Sequence, residues 1–257
     1  MARQRLVSAA LAAAWLTLPG ACSAEAPPKE PAPEERIAER AELPELGLMG
    51  TIPIYWGEAD NFGGVVTGEA APHWARGQIE ARYRIRPLDV LDRESLAGLD
   101  FLLLAQPRAL GAAENVALDA WVRAGGHLLL FADPMLTGES RYALGDRRRP
   151  QDVILLSPIL THWGLALEFE LDQALGVTLL DAGRAKIPVN LPGRFAAGAG
   201  ASQCAISAHE VLARCSIGSG QVVVLADAAL LDLHPSDAAA PDALEWLMHE
   251  SLAKSGK

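Results

Sequence analysis

The sequence predicts an α/β fold with a mostly parallel sheet between helix layers and a smaller β-rich extension. Short runs of consecutive apolar residues recur along the chain, as in strands that are buried on both faces. The clearest two, Phe101–Ala105 and His127–Ala132, flank a helical pattern over 112–124 that ends at Gly125 and Gly126. Strand, helix and strand in that order are typical of a crossover in a parallel sheet.

The elements before this crossover are shorter. The predicted order is a strand over 47–55, a helix over 74–82, a strand over 83–87 and a helical turn over 91–99. Glycines at 63, 64 and 68 interrupt the chain between the first strand and the first helix.

The elements after the crossover are richer in β-structure. The predicted order is a helix over 153–164, strands over 165–171, 177–180 and 186–191, a loop over 195–202, hairpin arms over 205–207 and 211–217, a buried strand over 222–226 and a closing helix over 239–254. We therefore expect one α/β domain over 46–254, within which 165–217 forms the β-rich extension.

The N-terminus has the pattern of a secretory signal peptide over 1–21. Arg3 and Arg5 precede an apolar run over 6–18, and Pro19-Gly20-Ala21-Cys22 follows. The run is shorter than the roughly 20 residues that span a bilayer. These features predict export, to the periplasm of a Gram-negative bacterium.

Cys22 has two readings. The small residues Gly20 and Ala21 before it resemble a lipoprotein box, which predicts a lipid anchor on Cys22, although Pro19 stands where an aliphatic residue is expected. The alternative is ordinary cleavage after Ala21, Ala24 or Ala26. Residues 22–45 are rich in proline and charge, which favours a linker that tethers the domain to the membrane.

The remaining cysteines, Cys204 and Cys215, lie on the two predicted hairpin arms. If Cys22 carries a lipid, an exported chain is left with an even pair, which suggests one disulfide. A structural pair is favoured over a catalytic thiol, because neither residue follows a strand-to-helix turn.

Composition excludes two classes of protein. Half of the 257 residues are hydrophobic and the mean hydropathy is +0.15, so the chain as a whole is not disordered. It carries 22 basic and 32 acidic residues, which argues against nucleic-acid binding through a broad basic surface.

Three segments resemble a known family. They are Leu99–Pro134, Ile217–Asp232 and Ala243–Leu247. Together they resemble the gliding-motility and intraflagellar-transport-like family of "ABC-type uncharacterised transport system" domains, over roughly 47–252. The resemblance implies a fold like that of class I glutamine amidotransferases. It also implies a role beside an ABC transporter or envelope complex rather than catalysis.

The motifs of several enzyme classes are missing. In an amidotransferase-like fold the nucleophile follows a central strand, but Ala132-Asp133-Pro134 contains neither cysteine nor serine. The sequence has no G-x-S-x-G, no H-E-x-x-H, no Walker A motif and no G-x-G-x-x-G. We therefore predict no enzyme activity, no cofactor and no metal.

Polar residues at strand ends are the candidate ligand-binding residues, because ligands of open α/β sheets bind at the carboxyl ends of strands. They are Trp56, Glu58, Gln106, Asp133 and Asp227. Packing for Trp56 and capping for the carboxylates are the structural alternatives.

The basic run Arg147-Arg148-Arg149 is a candidate patch for an anion, a phospholipid headgroup or an acidic partner, with a solvated loop as the alternative. We therefore expect a non-enzymatic exported accessory domain of an ABC-type transport or envelope complex. The alternatives are a periplasmic hydrolase that uses strand-end carboxylates and a small-ligand-binding module.

Overall fold

A computed structural model describes residues 42–58, 72–198, 203–233, 237 and 239–252. The predicted signal peptide, Cys22 and nearly all of the predicted linker lie outside these residues. In the described part of the chain, no helix is both long enough and apolar enough to cross a membrane.

A mostly parallel sheet organises the described residues. Its strands, in spatial order, are β2 (Arg84–Pro87), β1 (Glu45–Gly50), β3 (Phe101–Ala105), β4 (His127–Phe131), β11 (Gly220–Leu225), β10 (Leu212–Ile217) and β9 (Cys204–Ser207). The pairs from β2 to β11 are parallel, and β10 and β9 extend the sheet antiparallel. The predicted fold class is confirmed.

The central strands are buried because their sequences are apolar on both faces. Every residue of β3 is buried, and so are four of the five residues of β4. Strands with such continuous apolar runs are kept from water only when helices cover both faces of the sheet. The sequence therefore located these two strands within one residue of their observed ends.

Five helices accompany the sheet within the described residues. They are α1 (Trp74–Glu80), α2 (Ala112–Arg123), α3 (Ser157–His162), α4 (Ala229–Asp232) and α5 (Ala239–Leu252). Helix α5 packs on β4, β11 and α1, whereas α2 contacts β11 and α3. The β1–α1–β2 and β3–α2–β4 connections run in opposite directions along the sheet. Right-handed crossovers then place α1 and α2 on opposite faces.

Two small antiparallel sheets form the β-rich part. Strand β5 (Leu165–Glu168) pairs with β8 (Arg194–Ala197), and β6 (Thr178–Asp181) pairs with β7 (Lys186–Val189). The segment 195–202 was expected to be a loop, but its first residues belong to β8. The hairpin arms β9 and β10 continue the main sheet instead of standing apart from it.

A disulfide joins the two arms of the β9–β10 hairpin. Cys204 and Cys215 face each other in the strand register, and the bond between them is present. The predicted pairing is confirmed. Strand β9 is an edge strand of the sheet, so the bond adds a covalent link to a strand that pairs on one side only.

Replacing both cysteines with alanine is expected to lower the free energy of unfolding by about 3 kcal/mol, because the bond restricts a short loop of the unfolded chain. Chemical denaturation of the oxidised protein measures this. The control is the same titration with dithiothreitol, which should destabilise the wild type and leave the double alanine variant unchanged. A wild type that is insensitive to the reductant would contradict the prediction.

Candidate functional site

The carboxyl ends of four parallel strands meet at one edge of the sheet. Thr51 follows β1, Gln106 follows β3, Asp133 lies two residues after β4, and Asp227 lies two residues after β11. Three of these, Gln106, Asp133 and Asp227, are fully buried. The sequence placed these three polar residues at the correct edge.

Gln106 ties the ends of β3 and β4 to a later loop. Its Nε2 donates to the carbonyl oxygens of Asp133 and Gln151, both at 2.9 Å, and its Oε1 accepts from the Asp133 amide at 2.8 Å. The Thr51 hydroxyl donates to the Gln106 carbonyl oxygen at 2.5 Å and accepts from the Gln151 amide at 3.0 Å. The Gln106 amide group is therefore satisfied by the backbone and is not open to a ligand.

The carboxylates of Asp133 and Asp227 are each held by two backbone amides. The oxygens of Asp133 accept from Met135 at 2.8 Å and from Ala228 at 3.0 Å. Those of Asp227 accept from Ala229 at 2.7 Å and from Asn190 at 2.9 Å. These bonds fasten the loops after β4, β7 and β11 to one another, whereas the N-cap of α4 is Ala228 and has no side-chain hydrogen bond.

Burial makes these carboxylates poor acids. Desolvation raises the pKa of Asp133 to about 6, although the two amide bonds oppose the shift. Desolvation, followed by the negative charge of Asp133, also raises the pKa of Asp227 well above its ordinary value. Raised pKa values are common at functional sites, but burial of a carboxylate with a structural role also produces them.

Glu58 and Trp56 occupy a different place from the buried aspartates. The Glu58 carboxylate accepts from the Ser140 hydroxyl at 2.7 Å and from the Arg141 amide at 2.9 Å, so it anchors that loop. Trp56 is 58% exposed and meets Tyr55 edge to face, with 4.6 Å between ring centroids. Trp56 therefore has a free face, whereas Glu58 has a structural partner at each oxygen.

A cavity of about 730 Å³ opens beside Glu58. Its polar lining includes Glu58, His73, Thr137, Asn190 and Asp232. Asp133 and Asp227 are not among the described residues that line it.

Asp232 is a residue of this cavity that sequence reasoning missed. The carboxyl group of Asp232 lies against Gly138, and a Cβ atom added there would force this carboxyl group to move. Desolvation and the charge of Asp133 raise the pKa of Asp232 to about 7, although part of the residue remains exposed. The sequence carries no local signal for Asp232, which is the last residue of the short helix α4.

The three arginines of the basic run do not act together. Arg147 and Arg149 line a second cavity, of about 620 Å³. Arg148 instead pairs with Asp146 at 2.7 Å and lies 4.3 Å from the centre of the Tyr142 ring. Arg108 also lines this second cavity, and the sequence reasoning did not single it out.

A metal centre is not supported by the arrangement of acids and histidines. Within the described ranges, no group of three or more such side chains or cysteines is placed to hold a metal ion.

Comparison with solved structures shows the same fold in two other proteins. The first is an exo-beta-1,4-mannosidase, Op5Man5, from Opitutaceae bacterium strain TAV5, with a TM-score of 0.51 and 13% identity over 86% of this chain. Our chain spans 38% of that enzyme's length. The second is the mmIFT52 N-terminal domain, with a TM-score of 0.50 and 14% identity, matched over 83% of this chain and 99% of that domain.

The comparison with family models gives the relationship directly. A search of curated proteins found no match to this sequence. A model described as "ABC-type uncharacterized transport system" matches residues 57–190, which is just over half of the chain and contains the β3–α2–β4 crossover. The chain therefore belongs to the ABC-type uncharacterized transport system family.

Proposed function

We propose that this protein is an exported, non-enzymatic accessory domain that binds a component of an ABC-type transport system at the cell envelope. Family membership supports the association with transport. The signal-peptide pattern, the proline-rich segment and the disulfide support export to an oxidising compartment.

The observation that carries the non-enzymatic part is the state of the strand-end carboxylates. Asp133 and Asp227 give all four of their oxygens to backbone amides, and Glu58 gives both of its own to the loop at Ser140. General acid–base catalysis needs carboxyl groups that can reach the substrate's proton. Asp133 does not line the cavity beside Glu58, which favours the non-enzymatic proposal over a glycosidase pair formed by these two residues.

The membrane anchor is part of the same proposal. A diacylated Cys22 followed by a proline-rich linker would hold the domain near a membrane transporter without a spanning helix. Expression of the full chain with its own leader, followed by fractionation and intact mass, tests this. We expect a lipidated chain that starts at Cys22 in the membrane fraction, and release of the Cys22→Ala variant. An unmodified wild type in the soluble fraction would remove the anchor from the proposal.

Cross-linking in the native cell envelope tests the association itself. We expect a tagged chain to enrich subunits with an ATP-binding cassette, or their permeases, over the tag alone. The paired test is hydrolysis of aryl β-mannosides and β-galactosides. Turnover that disappears in Glu58→Gln or Asp232→Asn would contradict the non-enzymatic proposal, and absence of every transport subunit would contradict the accessory role.

A further inference from the structure

The order of the strands creates a crevice between the loops after β1 and β3. The connection from β1 runs to β2 on one side, and the connection from β3 runs to β4 on the other. The loops at the carboxyl ends of these neighbouring strands therefore diverge. In open α/β sheets such a switch point is where ligands bind.

The 620 Å³ cavity lies at this switch point, and we call it the switch cavity. It is lined by Met49, Gly50, Thr51, Leu88, Asp89 and Arg108 on one side, and by residues 145–147 and 149–153 on the other. Its volume falls in the range of small-molecule sites. Charged side chains reach it from the loops after β2, β3 and β4.

Arg108 is fixed at this cavity before any ligand arrives. Its two terminal nitrogens donate to the two carboxylate oxygens of Glu114 at 2.7 and 2.8 Å. One of them also donates to the Asp89 carbonyl oxygen at 2.7 Å, and the other to the Ala109 carbonyl oxygen at 3.0 Å. The bond to Arg108 lowers the pKa of Glu114 to about 2. An arginine held by four hydrogen bonds keeps its orientation, and the Nε–H is the one N–H group of Arg108 that is left to donate to a ligand.

Arg149 is partly engaged and Arg147 is free. Arg149 donates through Nε to Asp152 at 3.2 Å and through Nη1 to the Tyr142 carbonyl oxygen at 3.1 Å. Within the described residues, the other terminal nitrogen of Arg149 has no partner, and Arg147 makes neither a hydrogen bond nor an ion pair. An exposed arginine with five unused donors, beside two oriented ones, is suited to an oxyanion.

The acids around the cavity are mostly committed to other groups. Asp152 faces Arg149, and Asp146 faces Arg148, whose hydrogen bond lowers the pKa of Asp146 to about 2. Asp89 is exposed, and its carboxylate is the acid of this lining that is left for a ligand. It would accept a hydroxyl or amino hydrogen from the uncharged part of the same molecule.

We propose that the switch cavity binds a phosphate-bearing small molecule or headgroup, with Arg147 closing on the phosphate and Arg108 and Arg149 as oriented donors. A tetrahedral phosphate can accept from several guanidinium groups at once, whereas one fork already satisfies a carboxylate. The proposed phosphate site does not depend on the proposed transport association, because it follows from the residues that line the cavity.

Titration of the isotope-labelled full chain with inorganic phosphate tests the site. We expect saturable chemical-shift changes at residues 49–51, 88–89 and 145–153, with a Kd on the order of 1 mM for this minimal probe. The Arg147→Gln variant should bind about tenfold more weakly, as expected for a lost charge-assisted contact. Asp89→Asn should bind inorganic phosphate about twofold more tightly, because a repelling charge is gone.

The control is Arg93→Gln, which removes the same charge from an exposed arginine outside the cavity. It should retain wild-type affinity. If Arg93→Gln and Arg147→Gln weaken phosphate binding equally, the chain attracts phosphate only through its overall electrostatic potential. That result would overturn the proposal. Shifts that do not saturate, or that lie elsewhere, would overturn it as well.

A second experiment distinguishes a lipid headgroup from a soluble phosphate ester as the ligand. Sedimentation with phosphatidylcholine vesicles, with and without phosphatidylglycerol, is compared for the Cys22→Ala chain and its Arg147→Gln derivative. Arg147-dependent binding to the anionic vesicles assigns the site to a lipid headgroup. Phosphate binding without vesicle binding assigns it to a soluble phosphate ester. Either result leaves the transport association to be judged by cross-linking alone.

Discussion

Replacement of Gly50 by alanine is expected to destabilise the protein by about 3 kcal/mol, the upper range for forcing extra atoms into packed structure, although Gly50 itself is exposed. Gly50 is the last residue of β1 and pairs with Ala105 on β3. A Cβ atom there would lie 2.8 Å from the Ala105 carbonyl carbon and closer still to its oxygen. Backbone atoms of a fully buried strand cannot move aside without breaking the β1–β3 ladder.

The same substitution at Gly77 is the matched control. Gly77 lies inside α1, and a Cβ atom there would have no heavy atom within 4 Å. Alanine should stabilise that helix by about 0.5–1 kcal/mol, because glycine costs backbone entropy in a helix. Thermal and urea denaturation of both variants measure whether the free energy of unfolding falls for Gly50→Ala and rises for Gly77→Ala. A Gly50→Ala variant as stable as the wild type would contradict the close approach of β1 to β3.

The end of β1 was predicted incorrectly, and contacts with the residues after β3 explain why. The apolar pattern over 47–55 predicted a strand, but β1 ends at Gly50. The Thr51 amide and hydroxyl both bond to the Gln106 carbonyl oxygen, and Pro53 cannot donate to a ladder. The turn is therefore imposed by a partner 55 residues away, which no local pattern reveals. In contrast, β3 and β4 could be predicted from their own apolar runs, because strands that are buried on both faces are apolar at every position.

For the candidate site, the positions of the residues could be predicted, but their contacts could not. Gln106, Asp133 and Asp227 could be placed at the sheet edge because the strands before them were recognisable. Their use as backbone anchors could not be foreseen, since the amides that they bind belong to distant loops. Arg108 escaped notice because its significance comes from the strand order. That order places the loops after β1 and β3 on either side of one crevice.

The buried aspartates should make the protein less stable at neutral pH than in mild acid. In the unfolded chain these carboxyls lose their protons near pH 3.8, whereas burial holds the pKa of Asp133 at about 6 and that of Asp227 well above 3.8. The folded state therefore keeps protons that the unfolded state has lost. Stability from these groups is fully present below pH 3.8 and is lost as the pH rises through the folded pKa values.

The shift at Asp133 alone corresponds to about 3 kcal/mol, of which roughly half is lost between pH 5 and pH 8. Urea denaturation at intervals across that range measures the slope. Asp133→Asn should make the slope shallower without abolishing it, because burial also raises the pKa of Asp227 and that of Asp232. This variant should also be less stable at pH 5, since an amide can accept from only one of the two backbone N–H groups.

Asp172→Asn provides the control, because Asp172 is exposed and its loss should leave the slope unchanged. Glu114, whose pKa Arg108 lowers to about 2, acts in the opposite direction. Its contribution is complete above about pH 4.5 and declines only as the pH falls toward 2, so it does not alter the slope between pH 5 and 8. If Asp133→Asn has the same slope between pH 5 and pH 8 as the wild type, then Asp133 is ionised at no cost in the folded protein. The sheet edge would in that case admit water, and Asp133 would again be a candidate for contact with a ligand.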